Sequence, residues 1–469
     1  MNSNAERNKQ TFKNIDEEDF ISSLSDDILS HILNFLPTKD AVRTSILAMS
    51  WRNKWRLITS IDLHDFLTEL DREETEIERA HSFIVSVNKV LKHMSNSTIC
   101  KFGLHLQERT YDPRDLVVLF YDVLKREVQE LEIDYQNDIP AFPTSVFNCT
   151  SLKKLVLDMD YCTMRVQSSI FLPNLQALSF GGIQLLVEDD LFPHSMELVL
   201  SFPMLKTFEA YRCDWSNVKD MSINAPMLET FTMDHSCFKF EHLDDEVEFF
   251  AIKINAPHLR VFSYHFISDE DIIFSNGSSI QKAHIGLSLM CELEELFDEL
   301  SIKTGQLLEA VKSVEFLELG FDQFQVMTGS DLMDSVDDNL NNLPIFERLL
   351  RLKLELPRCL ASQNILLNLI QRSPILQTLF INFSMTEFDD DLSFVEEVPH
   401  CFLNTLEEVV ITVPEVDAII ITLAKYVLQH SRVLKIMTIS LQEPNMIDFV
   451  NQMLLSSPKA SNCVTIRVI

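Results

Sequence analysis

Glycine is nearly missing from this chain, at 8 residues in 469. Folds that turn tightly at every hairpin, or that cradle phosphates in Gly-rich loops, need more than that and are excluded. Cations are the second deficit: 39 Lys and Arg stand against 71 Asp and Glu, a formal charge of −32. Nucleic-acid binding draws on counterion release by clustered Lys and Arg, and an anionic membrane surface asks for the same clusters, so neither is an expected partner. Long apolar runs are absent as well. The longest aliphatic stretch, Ala418–Leu423, falls far short of the ~20 residues that span a bilayer. The nine cysteines are odd in number and scattered, with no C-x-x-C and no Cys/His quartet at zinc-ligand spacing, so reduced, buried thiols are expected. The opening MNSNAERNKQTFKNIDEEDF has no apolar stretch of signal-peptide type. A cytoplasmic or nuclear protein is the expectation.

Catalytic signatures are missing too. No G-x-S-x-G, G-x-G-x-x-G, G-x-x-x-x-G-K-S/T or H-E-x-x-H occurs, and the 13 histidines do not pair at ligand spacing. The expectation is therefore a non-enzyme with no catalytic residue, no cofactor and no metal.

What is present is apolar and periodic. An apolar fraction of 46% rules out a disordered chain. After a polar lead-in (1–18, expected to be disordered), Ser23–Asp27 offers capping serines and first-turn acids. Ile28, Leu29, Ile32, Phe35 and Leu36 follow at helical spacing, and Leu36-Pro37 ends that helix. Thr38 is placed to cap a second helix, with an apolar stripe of Ala41, Val42, Ile46 and Met49. Trp51 and Trp55 then share a face at i,i+4. Three helices in 19–65 present more apolar surface than some 40 residues bury, which points to a partner. Residues 66–99 read as a helical entry to a repeat array.

From residue 100 the chain repeats an L-x-x-L-x-L-like strand, often after proline: VQELEIDY, LKKLVLDM, LPNLQALSF, FPMLKTFEAY, APMLETFTM, APHLRVFSY, LLRLKLEL, SPILQTLFI. Aligned anchors run Leu131, Leu155, Leu178, Phe208, Phe231, Phe262, Ala283, Leu317, Leu352, Leu379, Val409 and Met437, at steps of 21 to 35 residues. This is an irregular leucine-rich repeat over 100–395, continued to 469. One repeat cannot bury its apolar face alone, so the units stack into an α/β horseshoe with a parallel concave sheet. Segments 185–203, 238–256, 286–312, 320–345 and 384–404 read as insertions. Residues alternating with the anchors face the concave side. Asp134, Asp158, Tyr211, Asp234, His265 and Phe380 are the candidate client-binding positions there, and the acidic surplus favours a basic client.

Phe20–Trp55, with FLPTKDAVRTSIL ahead of Trp51 and Trp55, resembles the F-box of plant F-box proteins. The segment from 396, with VPHCFLNTLEEV, AKYVLQHS and LKIMTIS, resembles the FBD region. The order as a whole is similar to the plant F-box/leucine-rich-repeat/FBD group. That resemblance implies a substrate-recognition subunit of an SCF-type (Skp-cullin-F-box) ubiquitin ligase. The F-box would dock a Skp-type adaptor, and through it cullin and RING subunits, while the repeats hold a protein client. By motif match the adaptor-facing residues would be Leu24, Ile28, Leu29, Ile32, Leu36, Pro37, Val42, Leu47 and Trp51. The chain departs from the family pattern at Leu24-Ser25-Asp26, usually Leu-Pro-Asp, and at Met49-Ser50, usually two basic residues. The alternative implied is an F-box/LRR binding scaffold that no longer drives client degradation.

Overall fold

The period-two alternation of the repeats becomes strands, and the strands become one long sheet. The computed structural model describes residues 21–65, 76–94, 98–106, 111–135, 142–187, 197–215, 218–234, 250–266, 270–275, 279–287, 305–320, 343–356, 360–383, 398–414, 416, 418–442 and 446–469. Its strands are β1 (Ser60–His64), β2 (Lys101–Leu106), β3 (Glu130–Tyr135), β4 (Lys154–Val166), β5 (Ser169–Phe171), β6 (Ala177–Val187), β7 (Glu197–Ser201), β8 (Thr207–Tyr211), β9 (Asp220–Asn224) and β10 (Thr230–Asp234). They continue with β11 (Phe250–Asn255), β12 (Val261–Phe266), β13 (Glu270–Phe274), β14 (Lys282–Leu287), β15 (Phe316–Gly320), β16 (Arg351–Leu356), β17 (Thr378–Phe383), β18 (Glu408–Val413), β19 (Ile436–Leu441) and β20 (Thr465–Val468). Among the described residues, fifteen of these form one parallel sheet, in the order β1-β2-β3-β4-β6-β8-β10-β12-β14 and then β15 through β20.

The sheet is in register on the anchor residues. Ile61, Phe102, Leu131, Leu155, Leu178 and Phe208 are successive cross-strand partners. The row continues through Phe231, Phe262, Ala283, Leu317, Leu352, Leu379, Val409, Met437 and Ile466. All but Ile466 are buried, in a core that also takes in Leu29, Leu33, Ala41 and Trp51 from the N-terminal module. Phe208, Phe231 and Phe262 stack like plates, with ring centroids 5.1 and 5.6 Å apart. The prolines ahead of the strands have a turn to make. Leu175, Leu205, Leu228 and Leu259 each donate their N–H to the carbonyl three residues back. That places Pro173, Pro203, Pro226 and Pro257 at the second turn position, where a fixed φ suits them.

Two of the segments read as insertions hold strands within their described residues. β7 and β11 join β5, β9 and β13 in a second parallel sheet, in the order β13-β11-β9-β7-β5. Between β4 and β14 the chain alternates between the two sheets. Leu198, Leu200, Met221, Ile223, Ile252 and Ile254 project from the second sheet into the shared core. Alternating apolar residues demand a flat element, so strands back this part of the concave sheet, whereas helices back its ends. Those helices include α3 (Glu76–His93), α4 (Pro113–Leu124), Leu360–Gln371 and Ala418–His430. Asp112 caps α4 by accepting from Arg114 N–H, with Pro113 in the first turn.

The N-terminal module has α1 (Asp26–Leu33) and α2 (Thr38–Arg43); the second helix, expected to carry its apolar stripe on to Met49, stops at Arg43, and the segment after it is three 3-10 turns, 44–46, 49–51 and 54–57. Ala48 adopts extended backbone and Asn53 leaves the helical region, which breaks the segment twice. Trp51 and Trp55 therefore sit in different turns. Thr38 is not a cap: it lies inside α2, and its buried hydroxyl accepts the Asp62 N–H at 2.7 Å. Among the described residues no helix is long and apolar enough to cross a membrane.

Candidate functional site

Residues 21–60 turn an unusual amount of apolar side chain outward. Ile28, Ile32, Phe35, Leu36, Ile46, Leu47 and Met49 are all exposed, Met49 at 95% and Ile46 at 83%. Apolar exposure of this density on a small module marks an interaction site. Polar pins hold the module behind it. Asn34 Oδ1 accepts the N–H groups of Thr59 and Ser60, Ser30 donates to the Leu57 carbonyl, and Trp51 Nε1 donates to Ser22 Oγ. Of the nine residues expected to face an adaptor, Ile28, Ile32, Leu36, Pro37 and Leu47 are exposed, and Leu24 and Val42 are half-buried. Leu29 and Trp51 are a correction. At 0% and 8% exposure they pack inward and support the face instead of forming part of it.

The concave sheet is the second surface. Asp134, Asp158, Gly181, Tyr211, Asp234, His265 and Gly286 are successive partners across β3 to β14 and form one lateral row. Phe380 lies in the neighbouring row, beside Lys353. Two acids expected to be available to a client have partners of their own. Arg212 donates to Asp158 at 3.1 Å, and Asp134 lies 3.6 Å from His105 Nδ1. The middle of the row is more negative in character: burial, then the charges of Glu209 and Asp234, push the Tyr211 hydroxyl above its ordinary value. Further along, Lys353 bridges Glu318 and Glu355, and His284 Nδ1 meets Glu318 at 2.7 Å. Burial acts to raise Glu318, but the hydrogen bonds from Lys353 and His284 outweigh it and hold the carboxyl below the ordinary range.

The thiols divide. Cys162, Cys213 and Cys401 are buried and burial pushes each up to about 12, whereas Cys100 and Cys463 are exposed and Cys149 is intermediate. The expectation of uniformly buried cysteines fails for those three, and Cys237, Cys291 and Cys359 lie outside the described residues. Two histidines that do not pair by sequence spacing come together in the fold. Register of β1 on β2 brings His64 against His105, their rings stacked at 4.3 Å, with Asp62 beside them. Donor atoms of Asp62, His64 and His105 all lie within 4.8 Å of one another. Sequence spacing gave no sign of this, because 41 residues separate the two histidines and only strand pairing joins them.

Comparison with known proteins places both ends of the chain. The F-box domain family matches residues 21–60, over the exposed apolar face, and the FBD family matches 396–439. The chain carries an F-box and an FBD segment. Similar proteins from Arabidopsis thaliana include an FBD-associated F-box protein, 27% identical over 91% of this chain and 90% of the relative. An F-box/FBD/LRR-repeat protein is 26% identical over 89% of each chain, and another is 30% identical over 58% of each.

Proposed function

We propose that this F-box protein is the substrate-recognition subunit of an SCF-type ubiquitin ligase. The F-box docks on a Skp-type adaptor, which ties the chain to cullin and RING subunits, and the concave sheet holds a protein client for ubiquitin transfer. The observation that carries this reading is the coincidence of the F-box match with the exposed apolar face of residues 21–60. Chemistry in this scheme belongs to a separate conjugating enzyme. The chain's own contribution is to hold adaptor and client together, which raises the effective concentration of client lysines at the transfer site. Working units are the F-box at 19–65, a helical entry at 66–99, repeats at 100–395 and an FBD-type continuation at 396–469. The compartment is cytoplasm or nucleus.

Co-precipitation with a Skp-type adaptor tests the first half, comparing wild type with Leu36→Ala/Pro37→Ala. Capture by wild type and its loss in the variant is the expected result, and a wild-type chain that captures no adaptor overturns the proposal. For the client, the negative surroundings of Tyr211 support a basic protein. Charge reversal at Asp134, Asp158 and Asp234 weakens client binding at low salt if that is right. A second reading, a scaffold that binds without degrading, is favoured by Met49 and Ser50, both exposed where the family resemblance leads one to expect basic residues. It requires client levels that do not respond to proteasome inhibition.

A further inference from the structure

We propose that Asp62, His64 and His105 form a binding site for a divalent metal ion of the zinc class, at the join between the F-box and the first repeat strand. Two imidazoles and one carboxylate make a donor set suited to zinc, with three protein ligands and one position left to water. Asp62 and His64 are two apart on β1 and so share a face, and His105 comes from the neighbouring strand. Both Nε2 atoms lie close to the same oxygen: Asp62 Oδ1 is 3.2 Å from His64 Nε2 and 3.5 Å from His105 Nε2. With metal–ligand bonds of about 2.0–2.2 Å, the donors of a tetrahedral site stand about 3.3–3.5 Å apart, so two edges of the site are already set. The third closes when the Nε2 pair draws together.

The electronic arrangement asks for a cation. Asp134 Oδ2 lies behind the His105 ring, 3.6 Å from Nδ1. Asp62 Oδ1, close to both Nε2 atoms, is shut off from solvent and accepts no hydrogen bond among the described residues. A carboxylate behind a metal-binding histidine is the usual supporting partner. Lys101 lies 3.5 Å from the other oxygen, Oδ2, which leaves Oδ1 to the ion. Space for it is provided by Gly103, opposite Asp62, where a Cβ would stand 2.8 Å from Oδ1 and 3.6 Å from His105 Nε2. The Asp62 N–H is bound by Thr38 of α2, so a bound ion fastens the strand leaving the F-box to the first strand of the repeats.

The test uses the full chain, stripped with chelator and titrated with Zn(II) against a chromophoric chelator, with the visible spectrum of Co(II) reporting coordination geometry. Wild type is expected to take up one equivalent and to give the intense spectrum of a four-coordinate site. Loss of a supporting carboxylate typically costs about 10–100-fold in affinity, so Asp134→Asn should fall in that range and His64→Ala or His105→Ala beyond it. Gly103→Ala weakens binding without removing a donor. His64 is exposed enough for His64→Ala to fold, as unchanged circular dichroism of the metal-free protein verifies. Cys100→Ser, which removes the exposed thiol that precedes β2, leaves binding intact. Zn(II) raises the thermal midpoint of wild type and not of His64→Ala/His105→Ala. A wild-type chain that binds no metal overturns the proposal, as does affinity retained by the double variant or lost in Cys100→Ser.

Discussion

Leu29 and Leu47 separate what folds the F-box from what it touches. Leu29 is 0% exposed and Leu47 is 70% exposed, although family resemblance alone puts both in one adaptor-facing set. Truncating a fully buried leucine leaves a cavity as well as losing transfer energy, so Leu29→Ala should cost about 2–5 kcal/mol in stability. Truncating Leu47 removes atoms that water already reaches and should change stability by less than about 0.5 kcal/mol. Their order reverses in binding. If Leu36 and Leu47 each contribute about 1–2 kcal/mol at the centre of the docking face, Leu36→Ala/Leu47→Ala weakens adaptor binding by about 30-fold or more. Calorimetric titration with the adaptor, alongside urea unfolding followed by circular dichroism, measures both quantities on the same samples. The reasoning fails if Leu47→Ala destabilises the chain as much as Leu29→Ala does. It also fails if the double variant binds the adaptor like wild type.

Three further outcomes rest on the repeats. Gly182 has φ +61° and a Cβ there would stand 2.1 Å from the Met159 carbonyl oxygen, so Gly182→Ala should cost at least about 1–3 kcal/mol in urea unfolding, whereas Gly305→Ala, with open space, stays within about 0.5 kcal/mol. Glu318 is held below its unfolded value, so its contribution to stability is complete above about pH 5 and is lost as pH falls through the carboxylate range and below; Glu318→Gln should flatten that acid limb of the stability profile. Maleimide labelling read by mass spectrometry should modify Cys100 and Cys463 in the folded chain, and Cys162, Cys213 and Cys401 only after denaturation.

Much of the fold was legible because leucine spacing and strand register are the same information. Once VQELEIDY and LKKLVLDM are aligned on Leu131 and Leu155, the parallel pairing of β3 and β4 follows without further assumption. The second sheet was less legible. Its strands lack the leading Leu-x-x-Leu and are as short as β5 at three residues, although Leu198/Leu200 and Ile252/Ile254 show the alternation. In the F-box, helical spacing predicted an apolar stripe running on to Met49 and a shared helical face for Trp51 and Trp55, but spacing does not register backbone breaks such as those at Ala48 and Asn53. Sidedness was the harder matter. Leu29 and Ile32 are three apart on one helix, and only the packing of residues 51–61 behind α1 decides that one is interior and the other exposed. The metal triad was not legible at all, since it depends on which strand pairs with β1.

The few glycines explain a good deal of the concave surface. Gly103, Gly181 and Gly286 lie opposite Asp62, Asp158 and His265 on neighbouring strands. In each case a Cβ would collide with that polar side chain, so the missing methyl lets a neighbour lie across the sheet instead of standing away from it. At Gly286 the fit is tightest, with the His265 ring carbon Cδ2 only 1.8 Å from the Cβ position. Gly286→Ala must therefore rotate His265 off the sheet. The ring is the end of a side chain, and Gly286 is not among the glycines with positive φ, so backbone strain does not enter. The expected change in stability is small, below about 1.5 kcal/mol. The expected change in surface is large: His265 should show shifted ring resonances, and client binding should fall if this row is where the client sits. A variant that leaves the His265 resonances in place would mean that the concave row is arranged by something other than its glycines.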